Sequence, residues 1–165
     1  MRPRYGTRKP NRARGFEYRS PGPYFVTLCV QDRRCLFGSI ADDAIRFSDA
    51  GTMVSQAWNT IARQFPATEC DESVIMPNHF HALITLPHDG DGPNLGTVVQ
   101  AFKRLSTNLY MTGVKEHGWQ RFDGRLWQRS YHDHIIRNER EMDLVREYIA
   151  ANPARWQGDR LFSGL

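Results

Sequence analysis

Hydrophobic and polar positions along this chain change period several times, and each change marks a predicted element. Tyr24 to Val30 (YFVTLCV) is a short β-branched and aromatic run behind the turn Ser20-Pro21-Gly22-Pro23, as in a well-buried strand. From about Ser48 to Phe65, the residues Met53, Val54, Ala57, Trp58 and Ile61 recur at three- and four-residue intervals. This predicts an amphipathic helix capped by Ser48 and ended by Pro66. Glu72 to Met76 and His79 to Leu86 are strand-like runs joined by Pro77-Asn78, too short a link for anything but a reversal, so they are expected to be antiparallel neighbours. Leu95 to Met111 places Val98, Val99, Phe102, Leu105 and Leu109 on one helical stripe and leaves Lys103, Arg104, Ser106 and Thr107 on other faces. Leu126 to Arg137 alternates as a strand, and Glu139 to Ala151 forms a third helix closed by Asn152-Pro153. The order β-α-β-β-α-β-α, with a hairpin between two helices, predicts an α+β fold: a ferredoxin-like antiparallel sheet with packed helices.

Length and composition narrow this picture. The 165 residues fit one domain, with 40% hydrophobic and 24% charged residues, as expected of a soluble globular protein. No apolar run approaches the roughly 20 residues of a membrane helix, and the basic start leads into Gly15-Phe16-Glu17 rather than an apolar stretch. A cytoplasmic location is expected, with no membrane partner. Three cysteines at spacings that fit neither a zinc ribbon nor a redox pair agree with a reducing interior. Within the net charge of +4, seven Lys/Arg against one acid fall between Met1 and Arg19. Residues 1–20 therefore read as a flexible basic arm and 21–165 as a single domain. The arm suggests an anionic partner, although a merely solubilising tail has the same composition. The loop HDGDGPN (88–94) lacks the later ligands of a calcium loop and is assigned no metal. No Gly-x-x-x-x-Gly-Lys loop is present, so no nucleotide cofactor is expected.

The chemistry concentrates in two places. In Pro77-Asn78-His79-Phe80-His81 the two histidines are two apart on a strand and share a face, while Phe80 turns the other way to anchor in the core, with Val74, Ala82 and Ile84 nearby. Such a pair can share one divalent ion, and it can equally be structural. In the third helix Tyr148 and Asn152 are four apart and so stand one turn above each other. If that helix crosses the histidine face, the Asn152 oxygen can complete a metal site and the Tyr148 phenol can lie beside a phosphate held there. Alternatively, Tyr148 is a core aromatic and Asn152 only a terminator. A rival pair, His132 and His134, follows Tyr131 directly with the same spacing.

Taken together, NHFHALI after a strand, LWQRSYHDHIIRNERE and EYIAANPARW resemble the HUH single-tyrosine transposases, in particular the REP-associated tyrosine transposase branch, over about Tyr24 to Trp156. The resemblance implies a ferredoxin-like fold, with His79, His81 and Asn152 binding Mg²⁺ or Mn²⁺ and Tyr148 as the nucleophile. It implies cleavage and rejoining of single-stranded hairpin DNA through a 5′-phosphotyrosine. The arm and a basic helix are expected to grip that DNA through Arg12, Arg14, Lys103 and Arg104, with Arg137 structural or DNA-positioning. A monomer is expected in preference to a homodimer. A phenol ordinarily titrates near 10, so the metal or a bound water must help remove its proton, because no dedicated base stands out. Tyr131 with His132 and His134 is the alternative catalytic set. A DNA-binding module that has lost strand transfer is the alternative function.

Overall fold

Nine strands and helices follow one another among the described residues, 20–159 of a computed structural model: β1 (Gly22–Cys29), β2 (Gly38–Ala41), β3 (Ala44–Phe47), α1 (Asp49–Gln64), β4 (Glu69–Met76), β5 (His79–Leu86), α2 (Leu95–His117), β6 (His132–Ile135) and α3 (Glu139–Ala151). The basic arm, with Arg12 and Arg14, lies outside the described residues apart from Ser20. Strands β1, β4, β5 and β6 form one antiparallel sheet in the order β4-β5-β1-β6. With α1 between β1 and β4, and α2 between β5 and β6, this is the expected ferredoxin-like arrangement.

Several expected boundaries hold because their local chemistry holds. The Ser48 hydroxyl accepts from the Gly51 amide and opens α1. Asn94 and Asn138 cap α2 and α3 in the same way. Three features differ from the expectation. A small hairpin, β2–β3, turns through Asp42 and Asp43, both at positive φ (52° and 58°), a reversal for which the sequence carries no Asn-Gly or Asp-Gly marker. Helix α2 runs past Met111 to His117, because Gly113 leaves room for the Trp119 ring and Gly118, in the left-handed region, is the true stop. The strand expected over Leu126–Arg137 shrinks to four residues plus a single bridge between Val30 and Trp127. The reason is that the Lys103 ammonium takes the carbonyls of Gln128 (2.7 Å) and Arg129 (3.2 Å), while Trp127 turns inward to donate to Ser106 Oγ at 2.9 Å.

The central strand β5 is covered on both faces. Phe80, Ala82, Ile84 and Leu86 join Val26, Leu28, Trp58 and Phe102 in the main core beneath α1 and α2, with Phe80 5.0 Å from Trp58 and 4.9 Å from Phe102 between ring centroids. On the other face Leu83 packs with Ile136, Ile149, Phe25, Val74, Met142 and Val145 beneath α3. Val74 pairs with His81 across the strands and so belongs to this second face, not to the Phe80 side. Arg146 fastens α3 over the sheet by donating twice to one carboxylate oxygen of Asp71 on β4, at 2.6 and 3.0 Å.

Candidate functional site

Alternation along β5 turns His79 and His81 toward α3, and the cover of that helix makes both almost fully buried. Their rings lie 4.6 Å apart, centroid to centroid. Each is oriented through Nδ1. The Asn78 amide nitrogen donates to the Arg33 carbonyl at 3.1 Å, which aims the amide oxygen at His79 Nδ1, 2.8 Å away. That oxygen can only accept, so His79 carries its proton on Nδ1 and presents the Nε2 lone pair. His81 Nδ1 lies 2.8 Å from the Thr27 hydroxyl, which serves as acceptor in the tautomer that frees Nε2.

The last turn of α3 lies over this pair. Tyr148 packs edge-on against His81 (5.5 Å) and Phe25 (5.8 Å), yet remains 37% exposed, so its ring is held while its surface stays reachable. One turn on, Asn152 is buried. After α3 a short 3-10 turn (Pro153–Gly158) stacks Trp156 on His79 at 5.9 Å and delivers Asp159, whose Oδ2 is 3.7 Å from His79 Nε2.

Electrostatics fit this geometry. Burial pushes the His79 imidazole down to about 4, against the opposing charge of Asp159. Burial also holds His81 well below its ordinary value, helped by His79 beside it. Both rings are therefore neutral near pH 7, the form that ligates metal. His79 Nε2, His81 Nε2 and Asn152 Oδ1 are buried and make no hydrogen bond of regular geometry among the described residues, although the Asn152 side chain lies close enough to His79 to oppose the lowering of its pKa. Three such acceptors in one place are costly unless a cation joins them, and their nitrogen and oxygen donors suit a divalent ion. Cys29 stands opposite His79 on β1, but burial raises its thiol pKa and keeps it protonated.

The structure thus brings His79, His81, Tyr148 and Asn152 together, as the sequence suggested. It places the expected DNA-contacting residues differently. Arg104 is exposed on α2, across the sheet from α3, and Arg137 is exposed just before α3. Lys103 and Ser106 turn inward instead of outward: Lys103 is buried, its pKa lowered to about 8 chiefly by burial, and its ammonium is spent on backbone carbonyls. The rival histidines do not converge. His132 and His134 are exposed, and His134 Nε2 lies 2.6 Å from Glu141 Oε1, at the start of α3. Tyr131 is half-buried near Lys103. Sequence reasoning missed Thr27, Trp156 and Asp159, and it read Asn78 only as a turn residue. Its place beside His79 was the available signal.

Comparison with known proteins identifies the family and the fold. The family described as transposase IS200-like matches residues 24–152. A Haemophilus influenzae Rd protein of unassigned function is 34% identical, covering 94% of this chain and 93% of its own length. A second protein from that organism, provisionally described as a REP-associated tyrosine transposase, is 24% identical over 84% of this chain and 74% of its own. Among solved structures, a REP-associated tyrosine transposase bound to a REP hairpin superposes with a TM-score of 0.58 at 23% identity, covering 82% of this chain and 68% of the other. A Deinococcus radiodurans protein provisionally described as a transposase gives 0.52 at 18%, covering 84% and 95%. At these identities the two structures speak for the fold.

Proposed function

Since the chain belongs to the IS200-like transposase family, we propose that it cleaves and rejoins single-stranded DNA beside hairpins of the REP type, with Tyr148 as nucleophile and His79, His81 and Asn152 holding Mg²⁺ or Mn²⁺. The observation that carries this reading is the convergence of three buried acceptors beneath a held but reachable phenol. The phenolic oxygen of Tyr148 attacks the phosphorus of one phosphodiester. The bond to the 3′ oxygen breaks, and a 5′-phosphotyrosine and a free 3′-hydroxyl result. Rejoining is the reverse attack by another 3′-hydroxyl, so the bond is conserved and no nucleotide cofactor is required. A divalent ion, when bound, supplies polarisation of the phosphate and a route for the phenol proton. Around the site, α3 excludes water from the histidines, while His81 and Phe25 fix the ring of Tyr148.

Arg104 and Arg137, with Arg12 and Arg14 of the arm, are the cations we assign to DNA phosphates; Lys103 is not among them. A monomer is the working unit proposed here. The test is to mix protein, Mn²⁺ and labelled hairpin DNA with a single-stranded flank, denature, and look for a covalent adduct. Tyr148→Phe should abolish it and Tyr131→Phe should leave it. Loss in Tyr131→Phe alone would move the nucleophile, and tight hairpin binding with no adduct from wild type would favour a binding module.

A further inference from the structure

We propose that Asp159 is a further ligand of the same ion, an anionic one supplied by the chain beyond the nucleophile helix, so that the 3-10 turn after α3 closes the metal site. The proposal rests on the metal-binding part of the reading above and extends its ligand set. With Nδ1–H committed to Asn78, His79 directs a lone pair from Nε2, and a carboxylate oxygen stands 3.7 Å from it. A lone pair and a carboxylate facing each other at that distance repel unless a cation lies between them. His81 Nε2, equally unprotonated in its ligating tautomer, faces the same space. One ligand atom each from His79, His81 and Asp159 lies within 4.8 Å of the others. Ligand bonds of about 2.1 Å put two ligands of one ion about 3.0 Å (cis) to about 4.2 Å (trans) apart, so the His79–Asp159 spacing of 3.7 Å already suits a shared ion, and the whole set closes with shifts of up to about an ångström.

The approach is built into the fold. Asn152 is the residue at which α3 gives way to the turn, Pro153 starts that turn, and Trp156 stacks on the ring of His79. The Asp159 amide donates to the Trp156 carbonyl at 3.0 Å, which ties the carboxylate to the stacked indole. The ligands then come from β5 and from both ends of one turn, Asn152 and Asp159. A bound ion would lock that turn against the sheet.

The test uses Mn²⁺ alone, without DNA, on the full chain. Mn²⁺ affinity is measured by the loss of the free-ion electron paramagnetic resonance signal, and amide hydrogen exchange of residues 154–159 is followed with and without the ion. Asp159→Asn should weaken Mn²⁺ binding by at least about tenfold and remove the protection that Mn²⁺ confers on the turn, while Asp159→Glu restores part of both. Thermal melts without metal check that each variant folds. If Asp159→Asn binds Mn²⁺ within about twofold of wild type, or more tightly, the proposal is overturned; tighter binding would mean that the carboxylate obstructs the ion. Tyr148-dependent adducts together with unchanged affinity in Asp159→Asn would remove Asp159 alone. Asp159-dependent Mn²⁺ uptake without any adduct would overturn strand transfer and leave this site standing.

Discussion

Strands β5 and β6 each carry two histidines two residues apart, and the sheet puts all four on one face. Thr27 pairs with His81 on one side and with His132 on the other, and Phe25 separates Leu83 from His134. The motif is the same; the cover differs. Over β5, helix α3 and its following turn remove the rings from water, and Asn78 and Thr27 meet them at Nδ1. At β6, the rings lie at the open edge, and His134 is engaged by a glutamate that also caps the start of α3 by accepting from the Arg137 amide at 2.8 Å. A pair of histidines becomes a metal site when its surroundings fix the tautomer and exclude water, which spacing alone does not ensure.

The largest effect that could break this contrast lies in the proposed ligands. His79→Ala or His81→Ala should cut Mn²⁺-dependent adduct formation by more than about a hundredfold, since even orienting partners are worth 10–100-fold. His132→Ala and His134→Ala should stay within a few-fold of wild type, and an equal loss from the β6 pair would erase the distinction. The next effect sharpens the role of orientation. Asn78→Ala, with both imidazoles kept, should lower Mn²⁺ affinity by about 10–100-fold in calorimetric titrations. Unchanged affinity would show that the Asn78 hydrogen bond does not set the tautomer.

The smallest effect is on stability against pH. Burial lowers the pKa of His79 from an ordinary 6.5 to about 4, so between these values the unfolded chain binds a proton that the folded chain refuses. Stability is therefore held above about pH 6.5 and falls as the pH drops toward 4, and His81 adds in the same direction. Urea midpoints of the metal-free protein should fall across that window, and the fall should be shallower in His81→Asn. The β6 pair separates from this, because Glu141 is shifted down, first by its hydrogen bond to His134. Its contribution is lost only as the pH falls below the ordinary carboxylate value and through the lowered one, and for so exposed a pair it amounts to less than about 1 kcal/mol.

Much of the fold was legible because its elements announce themselves locally. The Trp58 stripe behind Ser48, the buried run of β1 and the Pro77-Asn78 reversal each follow from periodicity or a cap. The shortening of β6 was not legible, because it depends on Lys103 reaching carbonyls 25 and 26 residues away. The same long reach misdirected the reading of Lys103 as a surface cation. At the site, strand and helix spacing put His79 with His81 and Tyr148 with Asn152, but only the packing of α3 on the sheet could join the two pairs. Asp159 follows a turn with no periodic pattern, and nothing in its neighbourhood of the sequence points back to β5.

Tyr148 and Asn152, the proposed nucleophile and amide ligand, both occupy the carboxyl end of α3, and that position has an electrostatic consequence of its own. The peptide dipoles of a helix sum to about half a negative charge there, and the last turn of α3 has no basic side chain to offset it. The backbone itself thus favours a cation over the histidines by about 0.3–1 kcal/mol and disfavours a phenolate at Tyr148. Polarity runs opposite to that of a phosphate site at a helix amino terminus. On the proposed function, this helix end would offer anionic DNA nothing directly, and attraction for the phosphate would have to come from the ion and from arginines outside the helix.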